Sequence, residues 1–275
     1  MSKNVLRIEV NGPVSTVYLD RGEKRNAMGP EFFDQLAEAM AVLSSNPDVR
    51  CVVIAAEGTD FSVGLDLKAL ADGTLIGQEV SEARSRAERA MRLHERLKVL
   101  QRSISSVSAC SKPVIAAVWG NCLGSGLDLA SACDIRIAAA DAVFALAETR
   151  MAMVADLGSL QRLPQIIAKG HLAEIAFTGK QIPASAALGM GLVNKVCPDA
   201  SSTLAAATKL AGDIALNSPL AVQGVKTIMT ASDANELADG LQRVALWNAA
   251  FIESDDLAEA VAAFIEKRPP VFRGS

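Results

Sequence analysis

Three carboxylates stand in surroundings that carboxylates usually avoid. Asp128 follows Gly124-Ser125-Gly126-Leu127, Glu148 closes Phe144-Ala145-Leu146-Ala147-Glu148, and Asp156 lies within Met153-Val154-Ala155-Asp156-Leu157-Gly158. Their neighbours are small or apolar, and a carboxylate is seldom buried without a partner. Each one alone reads equally well as a cap or as half of a structural ion pair. Three beside one glycine loop point instead to an enclosed site with tuned acids and bases.

The loop itself is Trp119-Gly120-Asn121-Cys122-Leu123-Gly124-Ser125-Gly126. Closely spaced glycines let a backbone approach a ligand, and N–H groups at a helix start favour developing negative charge. Such a loop can form half of an oxyanion hole; it reads as readily as a plain tight turn. It is neither a Walker sequence nor the longer dinucleotide fingerprint. A second loop, Phe61-Ser62-Val63-Gly64-Leu65-Asp66-Leu67, also follows an apolar run and could supply another N–H, with Asp66 more a cap than a catalyst. The two histidines, His94 and His171, sit in charged or helix-start contexts that suit the surface better than a triad. No His/Cys/carboxylate cluster has metal-ligand spacing.

The elements that must position these groups follow from pattern. Residues 5–10 and 14–19 flank Asn11-Gly12-Pro13, a hairpin signal. Pro30 opens a helix to about Leu43, with Phe33, Leu36, Met40 and Leu43 at helical spacing. Residues 51–56 and 113–118 read as buried strands, the second feeding the glycine loop and a helix from near Ser125. Residues 58–64 and 72–77 read as loops. Residues 84–102 form an amphipathic helix with a basic face, solvated or attracting an anionic ligand. Residues 135–138 and 143–144 look like short strands, and helices dominate beyond about Leu160. The expected class is α/β, mixed, with a helical C-terminal region.

Composition narrows the function classes. The chain has 275 residues, a hydrophobic fraction of 50% with only 4% aromatics, and a formal charge of -4. The charge argues against non-specific nucleic-acid binding. No apolar run approaches a membrane span, and the N-terminus shows neither a signal-peptide core nor an Arg-rich transit segment. Five scattered cysteines without a CxxC pair suit reduced thiols, so a cytoplasmic location is expected.

The two loops taken together resemble the crotonase (enoyl-CoA hydratase/isomerase) superfamily. Further motifs extend the resemblance over nearly the whole chain: Leu19-Asp20-Arg21-Gly22-Glu23-Lys24-Arg25-Asn26-Ala27-Met28, Ser131-Ala132-Cys133-Asp134-Ile135-Arg136, Gln161-Arg162-Leu163-Pro164 and Phe264-Ile265-Glu266-Lys267-Arg268. The resemblance implies a crotonase-type spiral of β-β-α turns over residues 1–200, holding the acyl-CoA site. It implies a helical trimerisation region over residues 201–275, giving a homotrimer or a homohexamer built as a dimer of trimers. The implied ligand is an acyl-CoA thioester, coenzyme A being part of the substrate, with no metal or other cofactor. By position the oxyanion-hole amides are those of Leu65 and Ser125, where many relatives have glycine at the latter. CoA contacts are expected from Arg25, Ser62, Val63, Gly64, Asp66 and Lys68, and from Phe264, Lys267 and Phe272, of the same or a neighbouring subunit.

Among the superfamily's chemistries the acids decide. Hydratases typically carry glutamates at the positions of Asp128 and Glu148, and an uncharged stretch where Asp156 stands. An Asp, Glu, Asp set resembles the Δ3,5-Δ2,4-dienoyl-CoA isomerases, as do Ser218-Pro219-Leu220-Ala221-Val222-Gln223-Gly224 and the pair Trp247-Asn248. That resemblance implies Asp156 as the C2 base, Glu148 as the C6 acid and Asp128 as a modulator. Hydration of a 2-enoyl-CoA through Asp128 and Glu148 is the alternative, and a catalytically silent acyl-CoA-binding homologue a third reading.

Overall fold

The computed structural model describes residues 4–231, 234–251 and 254–271. The first half alternates strands and helices: β1 (Leu6–Asn11), β2 (Val14–Leu19), α1 (Pro30–Ser45), β3 (Cys51–Ala56), α2 (Leu67–Ala71), α3 (Gln78–Ser81), α4 (Arg86–Ala109), β4 (Val114–Val118) and β5 (Asn121–Leu123). The chain continues through α5 (Ser125–Ala132), β6 (Ile135–Ala139), β7 (Val143–Ala145), α6 (Ser159–Arg162), α7 (Lys169–Thr178), β8 (Ile182–Pro183), α8 (Ala184–Gly189) and β9 (Lys195–Cys197). Four helices close it: α9 (Ala200–Ala215), α10 (Pro219–Ala231), α11 (Ala234–Phe251) and α12 (Asp255–Glu266). The class is the mixed α/β one expected. The strand pair, the Pro30 helix and the buried strands fall where pattern put them. The basic helix is longer at its far end, and the short strands β5, β8 and β9 were not anticipated.

Six strands form one sheet in the order β1-β2-β3-β4-β6-β9. Only the β1–β2 pair is antiparallel. Strands β3 and β4 are buried at every residue, which explains their continuous apolar runs. Helix α9 crosses this sheet and buries Thr203, Ala207, Ala211 and Ala215, four apart, so that small side chains let it lie close. A second sheet has the order β5-β7-β8. The chain steps between the sheets in a repeated unit. It goes from β4 in the large sheet to β5 in the small one and then into α5; it goes from β6 to β7 and then toward α6. One turn earlier, β3 leads to Ser62, which bridges to Cys122 of β5, and then into α2. This repeated β-β-α step brings the two glycine loops side by side.

The C-terminal helices are tied to this body. The Lys226 ammonium of α10 donates to Asp134 Oδ2 at 2.7 Å and to the Lys112 carbonyl at 2.9 Å. Helix α11 packs on α4 and α6. The stripe Leu237, Leu241, Val244 and Trp247 need not await a partner: Leu241 and Val244 are buried within the chain, while Trp247 stays 56% exposed. Other apolar side chains face outward, chiefly Leu220, Val225, Ile228 and Met229 on α10.

Candidate active site

Main-chain hydrogen bonds zip the two loops together. The Phe61 and Ser62 N–H groups donate to the carbonyls of Trp119 and Asn121, each at 2.8 Å, and Leu123 N–H donates to the Ser62 carbonyl at 3.0 Å. The approach leaves no room for side chains. A Cβ on Gly64, whose φ is +95°, would stand 3.0 Å from the Leu123 carbonyl oxygen, and one on Gly126 would stand 2.9 Å from that of Ser62. Met28 N–H donates to the Gly64 carbonyl and accepts, through its own carbonyl, the Asp66 N–H. Between these bonds the Leu65 N–H has no hydrogen-bond partner among the described residues. Ser125 opens α5 behind Gly124, at the position whose N–H cannot be satisfied within the helix. Leu65 and Ser125 line one pocket. Two unpaired amides at such a wall can polarise a carbonyl and stabilise its oxyanion.

All three carboxylates line that same pocket, with Leu70, Leu75, Leu97 and Met153 among its apolar walls. Its empty volume, the open mouth included, is about 480 Å³. Asp128 is fully buried on α5, and its Oδ1 accepts the first N–H of α6, from Ser159, at 2.7 Å. Burial pushes its carboxyl up to about 6, against the pull of the Ser159 hydrogen bond and the Arg162 charge. Arg162 is itself buried, its guanidinium held by the Leu157 carbonyl and the Ser105 hydroxyl at 3.0 and 2.9 Å. Glu148 begins a short 3-10 turn running to Met151, and its Oε2 is shielded from solvent without a hydrogen bond among the described residues. Its Oε1 faces the glycine loop, 3.1 Å from where a Cβ on Gly124 would stand. Burial first, and then the charges of Asp128 and Asp156, push the Glu148 carboxyl well above its usual range.

Asp156 does not cap the helix that follows it. Helix α6 begins behind Gly158 with no side-chain cap, and the carboxylate at its start is Asp128. Asp156 Oδ2 accepts from Asn248 Nδ2 of α11 at 2.7 Å. Burial pushes Asp156 up to about 7, opposed by the Asn248 bond and reinforced by the charge of Asp128. The pocket thus gathers three acids displaced upward, so that one can hold a proton while another is ionised near neutrality.

None of the described residues expected to contact CoA is among those lining the pocket. Arg25 is 57% exposed and paired with Asp60 at 2.8 Å. Burial alone would raise Asp60, but the bonds from Arg25 and Asn121 hold it well below the usual carboxylate range. Ser62 is buried, its hydroxyl donating to the Asn26 carbonyl at 2.8 Å and accepting from Gly64 N–H at 3.1 Å, so it braces the loop. Val63 is half-buried beside it and Gly64 is buried. Asp66 caps α2 through the Lys68 and Ala69 N–H groups and pairs with Arg21 at 2.8 Å, the capping role its position suggested. Lys68 is exposed. Phe264 is exposed on α12 and Lys267 ends that helix, both outside the pocket wall; Phe272 lies outside the described residues.

Three polar residues at the site carried no role in the sequence reading: Asn248, Gln101 and Arg162. Asn248 and Arg162 fall in the pair Trp247-Asn248 and the run Gln161-Arg162-Leu163-Pro164, which carry part of the resemblance, while Gln101 falls in neither. His94 is half-buried on α4, with its Nδ1 shielded from solvent and without a hydrogen bond among the described residues. His171 is exposed as expected. Among the described residues no group of three or more His, Cys, Asp or Glu could hold a metal ion. No helix among them is long and apolar enough to cross a membrane.

Comparison with known proteins agrees with this architecture. The Δ3,5-Δ2,4-dienoyl-CoA isomerase of Dictyostelium discoideum, named as mitochondrial, is 38% identical over 270 residues, covering 98% of this chain and 91% of that one. The peroxisomal enzyme of the same name from Arabidopsis thaliana is 38% identical over 268 residues, with 98% and 95% covered. A crystal structure of an enoyl-CoA hydratase from Mycobacterium avium subsp. paratuberculosis superposes with a TM-score of 0.84 at 25% identity, over 98% of this chain and 99% of that one. The family model for enoyl-CoA hydratase/isomerase matches residues 9–275. With its spiral of β-β-α steps and its paired glycine loops, the chain belongs to the enoyl-CoA hydratase/isomerase family, within the crotonase superfamily.

Proposed function

We propose that the protein is a Δ3,5-Δ2,4-dienoyl-CoA isomerase. The observation that carries this reading is the third carboxylate, Asp156, standing in one apolar pocket with Asp128 and Glu148. The thioester carbonyl accepts from the Leu65 and Ser125 amides, which stabilise the dienolate formed when the C2 proton leaves. Asp156, ionised near neutrality, takes that proton. Glu148, kept protonated by burial and by its neighbours' charges, returns one at C6, the far end of the delocalised system. Asp128, anchored to the α6 N-terminus and facing Arg162, is the residue best placed to stay anionic, and its charge holds the proton on Glu148. Relatives named as dienoyl-CoA isomerases support the assignment. No metal or redox cofactor is needed for these steps. The exposed Arg25 and Lys68, with Phe264, Lys267 and Phe272 of the same or a neighbouring subunit, are the CoA contacts of this proposal.

The outward apolar face of α10 supports a homotrimer or a dimer of trimers. That proposal keeps residues 1–200 as the acyl-CoA-binding spiral and assigns assembly to the region beyond them. A cytoplasmic location belongs to it too, on the five buried free thiols. Hydration of a 2-enoyl-CoA through Asp128 and Glu148 is the second reading, favoured by the structural likeness to an enoyl-CoA hydratase. Incubation with a 3,5-dienoyl-CoA and with a 2-enoyl-CoA separates them. A gain of conjugated-diene absorbance supports the isomerase, and loss of enoyl absorbance alone overturns it in favour of the hydratase. Binding without turnover of either would leave a silent acyl-CoA-binding homologue.

A further inference from the structure

The Asp156 carboxylate is held from the rear by an amide whose orientation is fixed independently of it. Asn248 is 3% exposed on α11. Its Nδ2 donates to the Val154 carbonyl at 2.9 Å, while its Oδ1 faces the Val154 N–H at 3.4 Å. This two-sided pairing with one residue's backbone sets which end of the amide is NH2. Turning the amide over would set NH2 against N–H and oxygen against carbonyl. The second N–H of Nδ2 must therefore point at Asp156 Oδ2, which it meets at 2.7 Å. Gln101 of α4 completes the hold: its Nε2 donates to the Asp156 carbonyl at 2.8 Å and to the Leu241 carbonyl of α11 at 3.0 Å.

An amide NH2 can only donate. Oδ2 facing it cannot carry the proton of a protonated Asp156 without losing that bond and setting hydrogen against hydrogen. We infer, on the isomerase reading above, that Asn248 is a positioning residue which reserves Asp156 Oδ1 for the substrate proton and keeps the base ionised enough to work near neutral pH. Of the ionisable groups facing Asp156 among the described residues, Asp128 of α5 opposes its ionisation, Glu148 of the 3-10 turn is itself held protonated in part by the Asp156 charge, and Arg162 acts at one remove through Asp128. The pocket residues of α2 and α4, Leu70, Leu97 and Leu100, bring no charge. Asn248 is the side chain named here that favours the ionised base directly, alongside the backbone N–H of Asp156 itself.

The test is a titration of the Asp156 carboxylate by 13C NMR in substrate-free enzyme, the resonance assigned by its loss in Asp156→Asn. Wild type should titrate near pH 7. Asn248→Ala, and Asn248→Leu which fills the space without a donor, should move the midpoint up by about one to two pH units, the worth of a hydrogen bond to a charged group. The acid limb of isomerase turnover should move with it, with acyl-CoA affinity unchanged. A merely structural role would lower stability and rate and leave the midpoint in place, and that result overturns the inference. Wild-type enzyme supplies a check that needs no variant: the Asn248 side-chain amide resonances should shift with the Asp156 midpoint, and a flat response across it is equally fatal. Absence of dienoyl turnover in wild type would sink the isomerase reading; the two NMR readouts do not depend on it.

Discussion

The pocket has a loop wall and an acid wall, and they are built by different means. Residues 61–67 and 120–129 make the loop wall from main-chain hydrogen bonds, with glycines wherever a side chain would collide. The acid wall, Glu148 and Asp156, hangs on side chains: Asn248 and Gln101 reach in from α11 and α4 to hold the Asp156 segment. A backbone wall presents donors whose position is nearly independent of residue type. A side-chain wall can set proton affinity, because burial and partners can be chosen one group at a time. The difference teaches a division of labour. The loop wall would serve any thioester chemistry that develops an oxyanion, and the acid wall decides which reaction follows.

The largest expected effect is on the acid wall. Asp156→Asn keeps the shape and the acceptor facing Asn248 but removes the base. Dienoyl isomerisation should fall by roughly 10²- to 10⁴-fold, the range for a positioned general base. Acyl-CoA affinity, measured by calorimetry, should stay close to wild type. Deuterium exchange at C2 should be lost in this variant and retained in Glu148→Gln, which blocks the later proton return. Near-normal turnover in Asp156→Asn would remove the distinction between the walls and return the protein to the hydratase reading.

On the loop wall, Ser125→Pro deletes one N–H at the first position of α5, where proline suits a helix. Loss of one oxyanion donor should cost about 10²- to 10³-fold in kcat. C2 exchange should slow in parallel, because the donor serves the dienolate itself. A drop in exchange much smaller than the drop in turnover would show that Ser125 acts later than enolisation.

Stability should move the opposite way on the acid wall. Asp156 has a folded-state carboxyl raised from 3.8 to about 7. The folded protein then binds a proton that the unfolded chain releases, so stability is fully present below about pH 4 and is lost as pH rises through about 7. Asp156→Asn should therefore raise the melting temperature at pH 8, by no more than about 4 kcal/mol of stability, and the gain should vanish near pH 4. Equal melting curves at both pH values would mean that the carboxyl is not displaced.

The two walls also differed in how far the sequence disclosed them. Glycine at 64, 120, 124 and 126 marks a close backbone approach, and that signal is local. The three acids stood out because their neighbours are apolar. Asn248 and Gln101 left no such mark: they lie 92 and 55 residues from Asp156, and nothing in spacing joins them. The capping carboxylate of α6 was equally hidden, since Asp128 reaches Ser159 across 31 residues while Asp156 stands just before that helix in sequence. The repeated β-β-α step escaped pattern reading because β5 and β8, only 3 and 2 residues long, went unread, although residues 143–144 of β7 were read as a short strand. Two or three residues give periodicity little to register; the resemblance supplied the repeat. The Leu241 and Val244 stripe reads as a surface for a partner until both are found buried within the chain.

The smallest expected effect lies outside both walls. Lys68 directly follows the loop wall in sequence and is exposed, close to the negatively charged Asp72. If it meets a CoA phosphate, it does so as a solvated point charge. Such pairs contribute roughly 0.2–1 kcal/mol, which corresponds to about a 1.4- to 5-fold change in affinity. Lys68→Ala should weaken acyl-CoA binding by that factor at low salt and leave kcat alone. The effect should fade as ionic strength approaches about 1 M, where the screening length falls to about 3 Å. A tight, salt-insensitive loss would instead place Lys68 in a desolvated contact and make the rim a third specific wall. No change at low salt would strike Lys68 from the phosphate site and leave Arg25, already committed to Asp60, as the other loop-side cation of the proposed CoA site.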